Sequence, residues 1–163
     1  MLKRTLFFVL CIVIICSSLS CTEEPDFSHA EMTLPLPDSF ERIDKENYDA
    51  AFTDGEVVIT VLRLSFSAAF NDGIPETMNS NEFAHFWINK SGKNYEIKLH
   101  GGVDYAEYTE DVNGEEYYYV SAFYRTQYAY FVVVFATHGS LADARRNDIL
   151  SYMGSIYFVN PKK

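Results

Sequence analysis

EYYYVSAFYRTQYAYFVVVFAT, residues 116–137, decides the fold of this chain. Residues 116–125 are rich in aromatic and β-branched side chains, which suit a pleated strand surface. Thr126 and Gln127 can turn the chain. Residues 128–137 are then apolar on both faces, the pattern of a strand that lies centrally with cover on both sides. Just upstream, Asn113 and Gly114 form one of the strongest short hairpin signals, because both residues tolerate positive φ. Residues 103–112 before them alternate tyrosine with acid and complete a three-strand meander.

Working outward, residues 56–64 (EVVITVLRL) read as another strand, entered from 48–52 through the turn Thr53, Asp54, Gly55. Residues 40–43 and 31–37 are short strand candidates, and the prolines at 35 and 37 confine the latter to an edge. The segment 65–79 reads as a long loop. Asn79 with Glu82 makes a capping box, which predicts a helix over 80–90 with Phe83, Phe86 and Trp87 on its apolar face. Residues 95–99 are a strand candidate before Gly101 and Gly102. Ser140 can cap a helix over 141–153, Gly154 can end it, and 155–159 can close the chain as a strand. Long antiparallel hairpins with two helices imply an α+β domain.

The N-terminus is of a different character. Lys3 and Arg4 precede an apolar run over 6–16 of about eleven residues, short of the roughly 20 that a bilayer-spanning helix needs. Small residues follow, giving the three-part layout of a secretory signal over 1–20. Ser18, Leu19, Ser20 and Cys21 resemble the lipobox of bacterial lipoproteins, which implies lipidation of Cys21. Ser18 stands where leucine is usual. A retained membrane anchor and a plain signal peptide with a spare cysteine are the competing readings. The acidic stretch 21–30 reads as a flexible tether, and its acids also resemble the surface-export signal of some Gram-negative lipoproteins. The expected domain then occupies 31–160.

The 163 residues carry a formal net charge of −10. Without Lys3 and Arg4 there remain 11 basic against 23 acidic residues, a net −12. Such a domain is repelled by phosphate backbones, so nucleic acid is not an expected partner. The cysteines are Cys11, Cys16 and Cys21, so cleavage before Cys21 leaves no intramolecular disulfide and no cysteine metal site.

The domain also resembles the Mog1/PsbP-like group, in particular small bacterial lipoproteins built on that fold. The likeness rests on Leu34 and Pro35, Phe40, the acidic-aromatic strand before Asn113, Tyr118 and Tyr119, the run 130–136, and the C-terminal helix leading into 155–158. It implies an antiparallel sheet sandwiched by helices and a non-enzymatic binding or assembly role. It supplies no catalytic residue.

No set of residues points to catalysis. The histidines are His29, His85, His100 and His138. Glu82 with His85 has a metal-capable spacing but lacks further ligands, and His100 with Asp104 could pair across a turn. No catalytic residue, cofactor or metal is expected. Asp104, Glu107, Glu110, Asp111, Glu115 and Glu116 crowd one hairpin, either as a cation site or as edge charge that deters strand pairing. Tyr117 and Tyr119 share one strand face, and Tyr105 and Tyr108 could stack across it. These four form the candidate binding surface, with core packing as the competing use. The expected function is a membrane-anchored extracytoplasmic lipoprotein that contacts a protein or envelope partner without catalysis. The alternative is a receptor for a small ligand or cation.

Overall fold

The structure, a computed structural model, describes residues 32–159. The signal segment 1–20, Cys21, the tether 21–30 and His29 therefore lie outside the described residues. The strands are β1 (Met32–Thr33), β2 (Glu41–Arg42), β3 (Ala50–Thr53), β4 (Val57–Ser65), β5 (Lys98–His100), β6 (Val103–Val112), β7 (Glu115–Arg125), β8 (Ala129–His138) and β9 (Tyr157–Phe158). The helices are α1 (Phe66–Asn71), α2 (Ser80–Lys90) and α3 (Ala142–Ser155).

Seven strands form one sheet in the order β2-β3-β4-β8-β7-β6-β5, with every neighbouring pair antiparallel. β8 is the middle strand, as its apolar run implies. The β6–β7 hairpin turns on Asn113 and Gly114, whose φ values of 54° and 85° only a permissive pair of residues adopts without strain. β1 and β9 pair with each other as a separate ribbon.

Side chains alternate across the sheet, so each strand supplies two cores. On the first face, Val57, Ile59, Val61, Val120, Phe131, Val133 and Phe135 pack under Ile149, Leu150 and Met153 of α3. Met32, Leu34, Leu36, Phe40 and Phe158 close the margin of that core. On the second face, Leu64, Ala106, Phe123, Tyr130 and Val132 pack under Ala69 of α1 and Phe83, Ala84 and Ile88 of α2. Phe83 stacks on Tyr130 at 4.5 Å between ring centres. The domain is thus α+β, an antiparallel sheet between helices.

The capping box at α2 is formed in full: Glu82 N donates to Asn79 Oδ1 and Asn79 N to Glu82 Oε2, both at 2.9 Å. Other expectations need correction. The segment 65–79 is not all loop, because α1 occupies Phe66–Asn71, started by Ser65 Oγ accepting from Ala68 N at 3.2 Å. Six residues are too few to show helical periodicity, and α1 is held by its packing on the sheet rather than by propensity. Of the strand expected over 95–99, only Lys98 and Leu99 pair, joined by His100. Ser140 does not cap α3; it sits in a 3₁₀ turn whose N–H donates to His138 Nδ1 at 3.2 Å. Gly154 lies within α3, which ends at Ser155.

Candidate interaction surface

Burial along β8 locates the surface. Residues 129–133 are all buried, whereas from Val134 onward alternate residues emerge: Val134 and Ala136 are half-buried while Phe135 and Thr137 are buried. The expected cover on both sides therefore holds for only part of the strand. α2 has 11 residues, a length of about 16 Å, while a ten-residue strand runs about 33 Å. α1 and α2 cover the second face at the end where β7 turns into β8. Toward the β6–β7 hairpin no helix covers that face, although Thr60 and Tyr119 there are themselves buried.

The open half is floored by Val58, Val134 and Ala136 and flanked by tyrosines. Register places Tyr108 opposite Tyr119, and their rings stack at 5.4 Å. Tyr95, arriving after α2, stacks on the other side of Tyr108 at 4.0 Å with the rings 6° apart. Tyr117 meets His138 edge to face at 5.6 Å. Residues 95–97 leave the strand conformation to make this stack, which explains the shortened β5.

The hydroxyls are tied to the rim. Tyr95 OH donates to Glu110 Oε1 at 2.6 Å, and Lys93 Nζ reaches the same oxygen at 2.7 Å. Tyr117 OH donates to Glu115 Oε2 at 3.0 Å, and Tyr108 OH lies 3.1 Å from Ser121 Oγ. Burial pushes Tyr108 up to about 12, with the Glu110 charge adding to it against the Ser121 hydrogen bond. Burial, then Glu110 and the neighbouring Tyr108, Tyr117 and Tyr48, push Tyr119 up to about 12 as well.

Three of the four candidate tyrosines, Tyr108, Tyr117 and Tyr119, thus meet on one face, where Tyr108 and Tyr117 are half-buried and Tyr119 is buried beneath the stack rather than presented at the surface. Tyr105 does not join them. It is three residues from Tyr108, so the two-residue strand period sends it to the opposite face, where it is buried in the first core. Tyr95 was missed as a member because its segment reads as strand rather than as a return from α2.

The acidic residues of the hairpin are likewise dispersed. Asp104 is buried under α2 and accepts from Ser80 Oγ at 2.5 Å and Asn81 Nδ2 at 3.0 Å, so it does not pair with His100. Glu107 points to the first face, toward Arg146, Lys98 and Tyr118. Asp111 accepts from Gly114 N at 3.0 Å within the turn. Glu82 is used in its cap, leaving His85 exposed beside it. Among the described residues no group of three or more His, Cys, Asp or Glu could hold a metal ion.

No protein-family model and no curated protein matches the sequence. Solved structures with a similar chain path include one of a protein from Bacteroides thetaiotaomicron VPI-5482 (TM-score 0.56, 12% identity), matched over 81% of this chain and 46% of that one. The chain thus spans about half the length of that protein. They also include LpqN, involved in cell envelope biogenesis of Mycobacterium tuberculosis (TM-score 0.40, 9% identity, 78% of this chain and 83% of that one). A third is cyanobacterial PsbP, CyanoP, from Synechocystis sp. PCC 6803 (TM-score 0.37, 11% identity, 86% of this chain and 91% of that one). At these identities the likeness concerns the fold alone.

Proposed function

We propose that the protein is an extracytoplasmic lipoprotein, held to a membrane through lipid on Cys21, that works as a non-catalytic interaction or assembly module. The observation that carries the interaction reading is the uncovered, tyrosine-flanked half of the second sheet face. A sheet surface with half-buried Val58, Val134 and Ala136 gains by being covered, at about 25 cal/mol per Å² of apolar area removed from water. The anchor reading is supported by the charged start, the short apolar run and the small residues before Cys21. No helix among the described residues is long and apolar enough to cross a membrane.

The receptor alternative needs carboxylates and tyrosines converging on one ligand. Of the hairpin carboxylates, Asp104 and Glu107 serve opposite faces, while Glu110 and Glu115 do stand beside the tyrosines but are engaged by Lys93 and Tyr95 and by Tyr117. Hydroxyl nucleophile chemistry would need a base and an orienting acid beside an activated oxygen. Among the described residues His138 meets the Ser140 N–H at 3.2 Å, the Ser140 hydroxyl at 2.8 Å and the Tyr117 ring.

Two measurements on the full chain in its own membrane test the proposal. Metabolic labelling with a fatty-acid analogue should mark the protein and be lost in Cys21→Ala. Crosslinking and recovery should then bring down a partner at near-equal amount, depleted in the same variant. Labelling that persists in Cys21→Ala would sink the anchor, and recovery of the protein alone would sink the interaction role.

A further inference from the structure

We infer that the open half of the second sheet face receives a lysine- or arginine-rich segment of a partner protein. The inference rests on the interaction reading above and names the chemistry of what is bound. Three features of the face select a cation. First, the half-buried rings at its margin, Tyr95 and Tyr117, are tyrosines, whose ring faces attract ammonium and guanidinium groups. Tyr95 and Tyr117 donate their hydroxyl protons to carboxylates, which shifts electron density toward the rings and strengthens that attraction.

Second, the rim already holds an ammonium group. Lys93 Nζ sits 2.7 Å from Glu110 Oε1, beside the Tyr95–Tyr108 stack, with nearly half of its side chain exposed. The site is therefore chemically suited to a lysine. Glu115, beside the turn of the same hairpin, is exposed and contacts the half-buried Tyr117.

Third, the charges are unevenly shared between the faces. Lys98 and Arg146 are drawn to Glu107 on the first face, and Arg145 is drawn to Asp54, Glu56 and Asp148. On the second face Glu110 is shared by Lys93 and Tyr95, and Glu115 stands exposed beside Tyr117 with no lysine or arginine contact of its own among the described ion pairs. With a formal net charge of −10 on the chain, long-range attraction also favours a basic partner.

The test uses the full-length protein in neutral detergent and two fluorescent peptides, acetyl-(Gly-Lys)6-amide and acetyl-(Gly-Glu)6-amide. Fluorescence anisotropy should show saturable, salt-sensitive binding of the lysine peptide and none of the glutamate peptide. Glu115→Gln and Tyr117→Ser should each weaken binding by about threefold or more, the loss of one exposed cation contact. Tyr117→Phe, which keeps the ring, should retain most of the affinity. Asp143→Asn, which removes the same charge from exposed α3, should leave it unchanged. Absence of lysine-peptide binding, or equal loss in Asp143→Asn and Glu115→Gln, would overturn the inference. So would self-association abolished by Tyr117→Ser, which would assign the face to a second copy. A crosslinked partner that docks here through a neutral or acidic segment would overturn this inference and leave the interaction role standing.

Discussion

Arg146 of α3 grips Glu107 of β6 with two parallel hydrogen bonds, Nε to Oε2 at 3.0 Å and Nη2 to Oε1 at 3.1 Å. Lys98 Nζ and Tyr118 OH donate to the same carboxylate at 2.7 and 2.9 Å. The cluster ties the helix on the first face to the strands β5, β6 and β7. Solvent reaches it from the Arg146 side and screens it. Glu107→Gln is expected to cost about 1–2 kcal/mol in urea unfolding, because the bidentate, charge-assisted contact is lost while its partners remain.

The same carboxylate sets an acid dependence. Burial alone would push the Glu107 carboxyl up, but Arg146, Lys98 and Tyr118 outweigh it and hold it at about 2 rather than 4.5. Its folded value is depressed, so its contribution is present above pH 4.5 and is lost as pH falls toward 2. Urea midpoints measured across that window should fall more steeply for the native chain than for Glu107→Gln. Parallel curves would show that the cluster does not govern acid sensitivity.

Tyr108 and Tyr119 predict the alkaline behaviour of the open face. Both phenols are pushed up to about 12 from 10.0, so the folded state resists their ionisation and the unfolded state does not. The stability they add is complete below pH 10 and is lost as pH rises toward 12. Phenolate absorbance should show late-titrating tyrosines, reduced in number in Tyr108→Phe. A single ordinary titration of all the tyrosines would contradict the stack.

The α2 cap offers a local test. Asn79→Ala removes the side-chain acceptor for Glu82 N and is expected to cost about 1 kcal/mol. The chain has one tryptophan, Trp87, which lies on α2, so its fluorescence reports this helix directly. A fluorescence transition at lower urea, with the sheet signal shifted by the same amount, would show α2 unfolding with the domain. A shift in fluorescence alone would show α2 fraying separately.

Tyr124 tests the first core. Its hydroxyl donates to Met153 O at 2.9 Å, in a buried position where α3 meets the sheet. Tyr124→Phe keeps the ring and removes this bond, so thermal unfolding should show a loss of about 1 kcal/mol. No change would mean that water or Ile156 N, which lies 3.4 Å from the same oxygen, satisfies the carbonyl.

Much of the sheet could be read directly. Asn113 and Gly114 fix the β6–β7 register, and with it the Tyr108–Tyr119 pair. The apolar run of β8 marks the middle strand. The site was half legible. Strand period alone separates Tyr105 from Tyr108 and sends Tyr105 to the first core. Tyr95 could not be recovered this way, because its place depends on how the chain returns from α2.

Which residues share a face, where the hairpins turn and where α2 begins are legible along the chain, since these follow from side-chain alternation and from bonds between residues a few positions apart. Which parts of each face are covered is set by packing in three dimensions. An 11-residue helix is shorter than the strands beneath it, so where it lies, and what it leaves open, depends on packing between distant segments. Phe83 seated on Tyr130 and Phe123 places α2 at one end of the sheet, and that placement leaves Val58, Val134 and Ala136, with the half-buried Tyr108 and Tyr117, without a helix over them at the other end.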